Sequence, residues 1–226
     1  MRIIPAIVTC FFVSIPVSAA ASDTLADEEA TDGLKQALTL GVNAAIDTLG
    51  VPNGFLHNPK AKIQLPVSLL KVEGLMRSVG MNKHADGLIA AMNHAAETAA
   101  AEGRPLLIDA VQNMPVEDAK AILAVGDDGA TQYFRNTSSD SLSDRFLPIV
   151  KKATEQAGVL KKYNDFAGKG AKLGLISEKH ANIENHVTGK TLDGIYLLMA
   201  EKEQAIRDNP TDQDSELVRR VFGTLK

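Results

Sequence analysis

The densest run of polar and charged side chains in the sequence is Val125-Gly-Asp-Asp-Gly-Ala-Thr-Gln-Tyr-Phe-Arg-Asn-Thr-Ser-Ser-Asp140, with apolar helical sequence on either side. Adjacent carboxylates such as Asp127 and Asp128 can hold a hard cation through oxygen ligands, or position Arg135 for an anionic ligand. If a helix starts at Asp128, Gln132 and Arg135 follow at i+4 and i+7 and share its face, with Asp140 further along. The same residues also read as plain architecture. Gly126 ends one helix, Asp127 or Asp128 caps the next at a gain of about 1 kcal/mol, and Arg135 pairs with Asp128 or Asp140. Spacing alone leaves both readings standing.

A second candidate is Met92-Asn-His-Ala-Ala-Glu97, set in a helix otherwise rich in alanine. Asn93 and Glu97 are one turn apart and project together. They could face the aspartates across a pocket, or simply hydrogen-bond to a neighbouring segment. A third is the basic stretch from Arg145 to Lys179, where Arg145, Lys151, Lys152, Lys161, Lys162, Lys169, Lys172 and Lys179 meet only Glu155, Asp165 and Glu178. Such an excess attracts anionic lipid headgroups or an acidic partner; scattered lysines also form ordinary solvated faces.

Familiar catalytic signatures are missing. The chain has no Gly-x-Ser-x-Gly elbow and no His-Glu-x-x-His zinc helix. Gly189-Lys-Thr191 resembles the end of a phosphate loop, but Glu184 stands where the first glycine is needed. Gly168 to Gly174 is one residue too long for a dinucleotide fingerprint, and Asp212 to Glu216 lacks the glycine of a calcium loop. His57, His84, His94, His180 and His186 show no ligand spacing on one helix face. No cofactor is expected, the identity of any metal is open, and so is whether the protein is an enzyme.

Met1 to Ala21 reads as an export signal, with Arg2, an apolar run from Ile3 to Val17 and small residues at Val17-Ser-Ala-Ala-Ala21. Pro5 and Pro16 interrupt that run, and it is shorter than the roughly 20 residues of a membrane span. The expected location is the periplasm, with no transmembrane segment in the mature chain. The single cysteine, Cys10, lies inside the signal, so the mature chain has no thiol chemistry. Removing Arg2 leaves 23 basic against 28 acidic residues, a net charge of −5 that argues against nucleic-acid binding.

The elements that must carry the candidate residues are helices. No tryptophan, few aromatics and abundant alanine and leucine favour helices packed on small side chains. Leu34, Leu38, Val42, Ile46 and Leu49 form one apolar stripe, with Gly33, Ala37, Gly41 and Ala45 beside it to admit a close neighbour. Gly50-Val-Pro-Asn-Gly54 stops that helix, and Phe55 to Leu65 reads as an ordered loop. Helices follow from Pro66 to Val79, from a cap at Asn82 to about Ala101, and from Leu106 to Met114 after a break at Gly103-Arg-Pro105. Val116 to Val125 leads into the polar run, whose helix continues through Leu142 and Phe146 past Pro148. Tyr163 and Phe166 anchor a glycine-rich passage, and helices from Ile183 to Asp208 and around Leu217 to Phe222 complete the chain. The expectation is an all-α fold, one compact domain of roughly nine helices spanning residues 22–226 after a signal at 1–21.

Five segments, Gly54-Phe-Leu-His-Asn-Pro59, Met92 to Glu97, Gly126 to Arg135, Phe146-Leu-Pro-Ile-Val150 and Leu192-Asp-Gly194, together resemble the bacterial domain of unknown function numbered 4197. The similarity runs from about Asp32 to Phe222, with departures at His94, where the family pattern has Arg, and at Gly129, where it has Ala. The resemblance implies an exported helical domain and brings no activity with it. The functional expectation is therefore a periplasmic binding or interaction module whose partner is another envelope protein or anionic lipid. The alternatives are a metal- or phosphate-dependent hydrolase built on Asp127, Asp128 and Arg135, and a peripheral envelope protein that contacts anionic lipid through the Arg145–Lys179 stretch.

Overall fold

The computed structural model describes residues 25–172 and 182–224, the backbone alone for 169–172. The signal read at 1–21, and Lys179 of the basic stretch, lie outside these residues. Eight α-helices and one short 3-10 turn at Pro210–Asp212 are described, with no strand among them: α1 Asp27–Leu49, α2 Val67–Ser78, α3 Asn82–Gln112, α4 Ala119–Leu123, α5 Gly129–Gln156, α6 Val159–Lys172, α7 Ile183–Asp208 and α8 Glu216–Gly223.

Four long helices form the core as a ring of neighbours, α1 beside α3, α3 beside α5, α5 beside α7, and α7 back against α1. The stripe expected on α1 is the one that is buried, from Ala30 through Leu34, Leu38, Val42 and Ile46 to Leu49. Its small residues set the spacing. A Cβ at Gly33 would lie 2.5 Å from Val221 of α8, and one at Gly41 would meet Met199 of α7 at 3.5 Å. The shorter helices close the outside: α2 and α6 ride on α3, α4 bridges α1 and α5, and α8 covers α1. Tyr163 and Phe166 of α6 are buried, as expected of anchors.

The count is one helix short of the expected nine because Gly103-Arg-Pro105 does not break the chain. Helix α3 runs unbroken through it for 31 residues. Gly103 is there for packing: a Cβ would come within 2.2 Å of the Phe146 ring of α5. Pro105 lacks an amide proton and removes one rung of the ladder, a cost the packed neighbours tolerate. Asn82 is likewise the first helical residue, and the cap position falls to Met81 without a side-chain bond. Asp118 does cap α4, accepting the Ala121 amide at 2.9 Å.

Between α1 and α2 the chain from Gly50 to Pro66 is an irregular loop, and its shape comes from α3. Asn53 adopts a left-handed φ of 65°, which an asparagine tolerates better than most residues. The loop then buries Phe55, Ala61, Ile63 and Leu65 and leads past the polar residues described next.

Candidate functional site

Three buried polar side chains fix where the surface segments lie. Glu97 of α3, 6 % exposed, accepts the amides of Asn53, Phe55 and Leu56 at 3.0–3.2 Å. Asn93, one turn earlier, accepts the Ile63 amide and donates to the Ile63 and Ile89 carbonyls, each at 2.8 Å. Both therefore act on the backbone of the 50–66 loop, and neither bonds to the aspartates of the polar run. The adjacency read from sequence is real, and its role is the neighbour-bridging one.

The third is Glu203 of α7, which the sequence did not single out. Its carboxylate accepts the Ala130 and Thr131 amides at 3.0 and 2.8 Å and the Thr131 hydroxyl at 2.7 Å. Arg207, one turn on, donates to it through Nε and Nη2 at 3.1 and 2.7 Å. The start of α5 is thus capped from another helix. Asp128 occupies the cap position but makes no capping bond; its carboxylate accepts Gln132 Nε2 at 2.9 Å instead. The local-capping reading of Asp128 is corrected by this geometry. The physical reason is that a buried carboxylate backed by an arginine satisfies the orphan amides of a helix start better than a solvated one.

With the cap supplied elsewhere, the face of α5 carrying Asp128, Gln132 and Arg135 turns outward as one wall of a groove of about 540 Å³. The 60–67 segment forms the opposite wall with Lys60, Ala61, Lys62, Gln64, Leu65 and Val67. Helix α7 supplies His186, Lys190, Asp193, Leu197 and Ala200, one face at i, i+4, i+7, i+11 and i+14, together with Gly194 and Tyr196. Gly194 lets the loop come close, since a Cβ there would lie 2.8 Å from Phe55.

Charge in the groove is arranged rather than scattered. Asp193 receives Arg135 Nη2 at 2.7 Å on one oxygen and Lys190 Nζ at 3.0 Å on the other. The Arg135 guanidinium also lies over the Tyr196 ring, 5.4 Å from its centroid. Arg135 thus pairs with Asp193 and not with Asp128 or Asp140, the partners expected from sequence. Lys60 bonds Glu201 at 2.6 Å, and His186 Nε2 lies 2.9 Å from the Gln64 carbonyl oxygen, which an Nε2–H satisfies. Lys62 makes no ion pair among the described residues. Four cations thus line the groove against the carboxylates of Asp128 and Asp193.

Beneath Arg135 sits the Tyr196 phenol, 3 % exposed, whose hydroxyl is the buried side-chain polar atom left without a hydrogen-bond partner among the described residues. Burial pushes its pKa above the ordinary value of 10.0; the neighbouring Ser138 hydroxyl and the Arg135 charge offset part of that rise, and the Asp193 charge adds to it. Ser138 acts there by proximity only: no bond of acceptable geometry joins the two hydroxyls, and Ser138 Oγ itself donates to the Phe134 carbonyl.

The remaining sequence candidates are dispersed. Asp127 lines a separate hollow with Gly126, Leu123, Arg207 and Phe222, so the adjacent aspartates face different surfaces. Asp140 is exposed further along α5. No group of three His, Cys, Asp or Glu side chains is placed to hold a metal among the described residues. In the basic stretch, Arg145 pairs with Asp109 and Lys152 with Glu102, both by about 3.1 Å contacts. What sequence reading missed is the half of the groove contributed by Lys60, Lys62, Lys190, Asp193 and Tyr196. The signal available for it was the polar face of α7, where His186, Lys190 and Asp193 keep helical spacing.

An all-α domain with a four-helix ring and a cation-lined groove between a loop and two of its helices is the class these observations define. The chain belongs to the family described as "Protein of unknown function (DUF4197)", whose model matches residues 24–223, most of the sequence. No curated protein and no solved structure matches it.

Proposed function

We propose that the protein is a binding module that takes an oxyanion-bearing ligand in the groove between the 60–67 segment, α5 and α7. The observation that carries this reading is the convergence of Lys60, Lys62, Arg135 and Lys190 on one hollow, with Arg135 clamped by Asp193 and stacked on Tyr196. An arginine so held presents its remaining N–H donors in a fixed fork, which suits the planar or tetrahedral oxygens of a carboxylate or phosphate. Binding is favoured over hydrolysis because Asp127 lies outside the groove and no serine, threonine or cysteine is among the described residues that line it. The periplasmic setting read from residues 1–21 belongs to the same proposal.

Thermal unfolding in the presence of inorganic phosphate, glycerol phosphate and short dicarboxylates tests it. A ligand at about 100 times its Kd stabilises by about 2.7 kcal/mol, which raises the melting temperature visibly. The expected result is a shift with at least one of these anions that Arg135→Ala and Lys62→Glu each remove. A flat response to all of them at millimolar concentration overturns the reading.

A further inference from the structure

Of the large apolar side chains left exposed in the described residues, half sit on one helix and its C-terminal cap. Val67, Leu70 and Leu75 of α2 and Val79 just after it are 85, 45, 47 and 59 % exposed. Leu69, Val72 and Met76 take the opposite face and bury it against the core. Helix α2 therefore carries large apolar side chains on both sides, and only one side has a partner among the described residues. Exposed apolar side chains gathered on one helix in this way mark an interaction surface.

Charge identifies what covers it. In residues 60–86, Arg77 bridges Glu73 and Asp86 and Lys60 pairs with Glu201, which leaves Lys62, Lys71 and Lys83 without an ion pair among the described residues, on a chain whose net charge is −4. Lys71 lies in the middle of the exposed face, one turn from both Val67 and Leu75. A two-fold contact with a second copy would set this positive face against itself and bury Lys71 opposite its own image. A bilayer surface accepts both features: the apolar side chains enter the acyl boundary, and the lysine stem stays apolar while its ammonium reaches the headgroups. The patch is also continuous with the groove, because Val67 begins α2 and lines the groove together with Leu197.

Building on the anion-binding reading of the groove, we infer that α2 docks the protein on an anionic membrane surface, with a lipid headgroup seated in the groove. No described helix is long and apolar enough to cross a membrane, so the contact is with the surface.

Co-sedimentation with phosphatidylglycerol/phosphatidylcholine vesicles, against phosphatidylcholine alone, tests the inference on the full mature chain. Binding is expected to the anionic vesicles only and to weaken steeply with salt, since exposed charges are screened within about 8 Å at 0.15 M. Leu70→Asp with Leu75→Asp should reduce it at least about tenfold, because both side chains are placed to enter the bilayer. The same double variant, with neither residue lining the groove, should keep the phosphate-induced melting shift. A phosphate shift without vesicle binding overturns the membrane inference and leaves the groove reading intact. Vesicle binding that Arg135→Ala and Lys62→Glu do not weaken overturns the headgroup placement. A dimer that Leu70→Asp with Leu75→Asp converts to monomer, without lipid binding in the parent, assigns the face to a second copy and also overturns it.

Discussion

Helix α7 carries two arginine–carboxylate contacts that use the same chemistry in opposite settings. Glu203 and Arg207 have side chains 3 % and 12 % exposed, and five donated hydrogen bonds converge on the carboxylate. Asp193 and its partner Arg135 are 41 % and 44 % exposed, and the guanidinium keeps donors free for a ligand in the groove. The first arrangement is saturated and can only hold α5 in place. The second is organised but incomplete, which is the condition of a binding site. The difference separates a pair whose bonds all serve packing from one that keeps donors exposed, as the proposed anion-binding groove requires.

The largest effect should come from breaking the closed pair. Glu203→Ala leaves Arg207 buried without its counter-charge and strips the Ala130 and Thr131 amides of their acceptor. A buried pair broken on one side costs roughly 3–5 kcal/mol, a large share of the stability of an ordinary domain. Urea unfolding should show that loss, while Arg135→Ala, which breaks the exposed pair, should cost about 1 kcal/mol or less. Equal losses from the two variants would remove the distinction between them.

Glu97→Ala should come next. It leaves the amides of Asn53, Phe55 and Leu56 without their acceptor under a loop that buries Phe55. An unsatisfied buried group costs about 1–3 kcal/mol, and part of the loss is recovered if water enters. Hydrogen exchange should show the 50–66 loop opening locally. Because that loop carries Lys60 and Lys62, phosphate binding should weaken although Glu97 does not line the groove.

This hierarchy explains how far the sequence could be read. Helices with a clear apolar stripe, such as α1 and α7, are specified locally, since 3.6-residue periodicity already states which face is buried. Gly103 misled because a glycine needed to admit the Phe146 ring has the same appearance as a glycine that ends a helix. Asp128 misled for a related reason: it stands at a helix start with the right chemistry, yet the amides there are taken by Glu203, more than 70 residues away. Asp128, Gln132 and Arg135 were legible as a face because they share one helix. Lys60, Lys62 and Lys190 were not, since a groove wall assembled from a loop and a distant helix leaves no mark in local spacing. Asn93 and Glu97 were legible as a polar pair in an alanine-rich helix, but only the fold shows that their partners are backbone amides.

The smallest expected effect is also the sharpest test of the open pair. Tyr196→Phe removes a buried hydroxyl that has no partner and keeps the ring beneath Arg135. If the hydroxyl serves only packing, nothing is lost, and removing a desolvated polar group should stabilise by about 1 kcal/mol. The sign of the pH dependence follows from burial. The folded state holds the phenol proton more tightly than the unfolded chain, whose phenol has the ordinary value of 10.0. Below that pH both states are protonated and the contribution is constant. Above it the unfolded state loses its proton first, so stability falls with rising pH until the folded pKa is passed. The Phe variant lacks this term, and its advantage over the parent in urea midpoint should widen between about pH 10 and 11. A midpoint difference that stays flat over that range would mean that Tyr196 is hydrated in solution. A Phe variant that gains stability but binds phosphate less well would identify the hydroxyl as a polar contact kept at a cost in stability for the ligand.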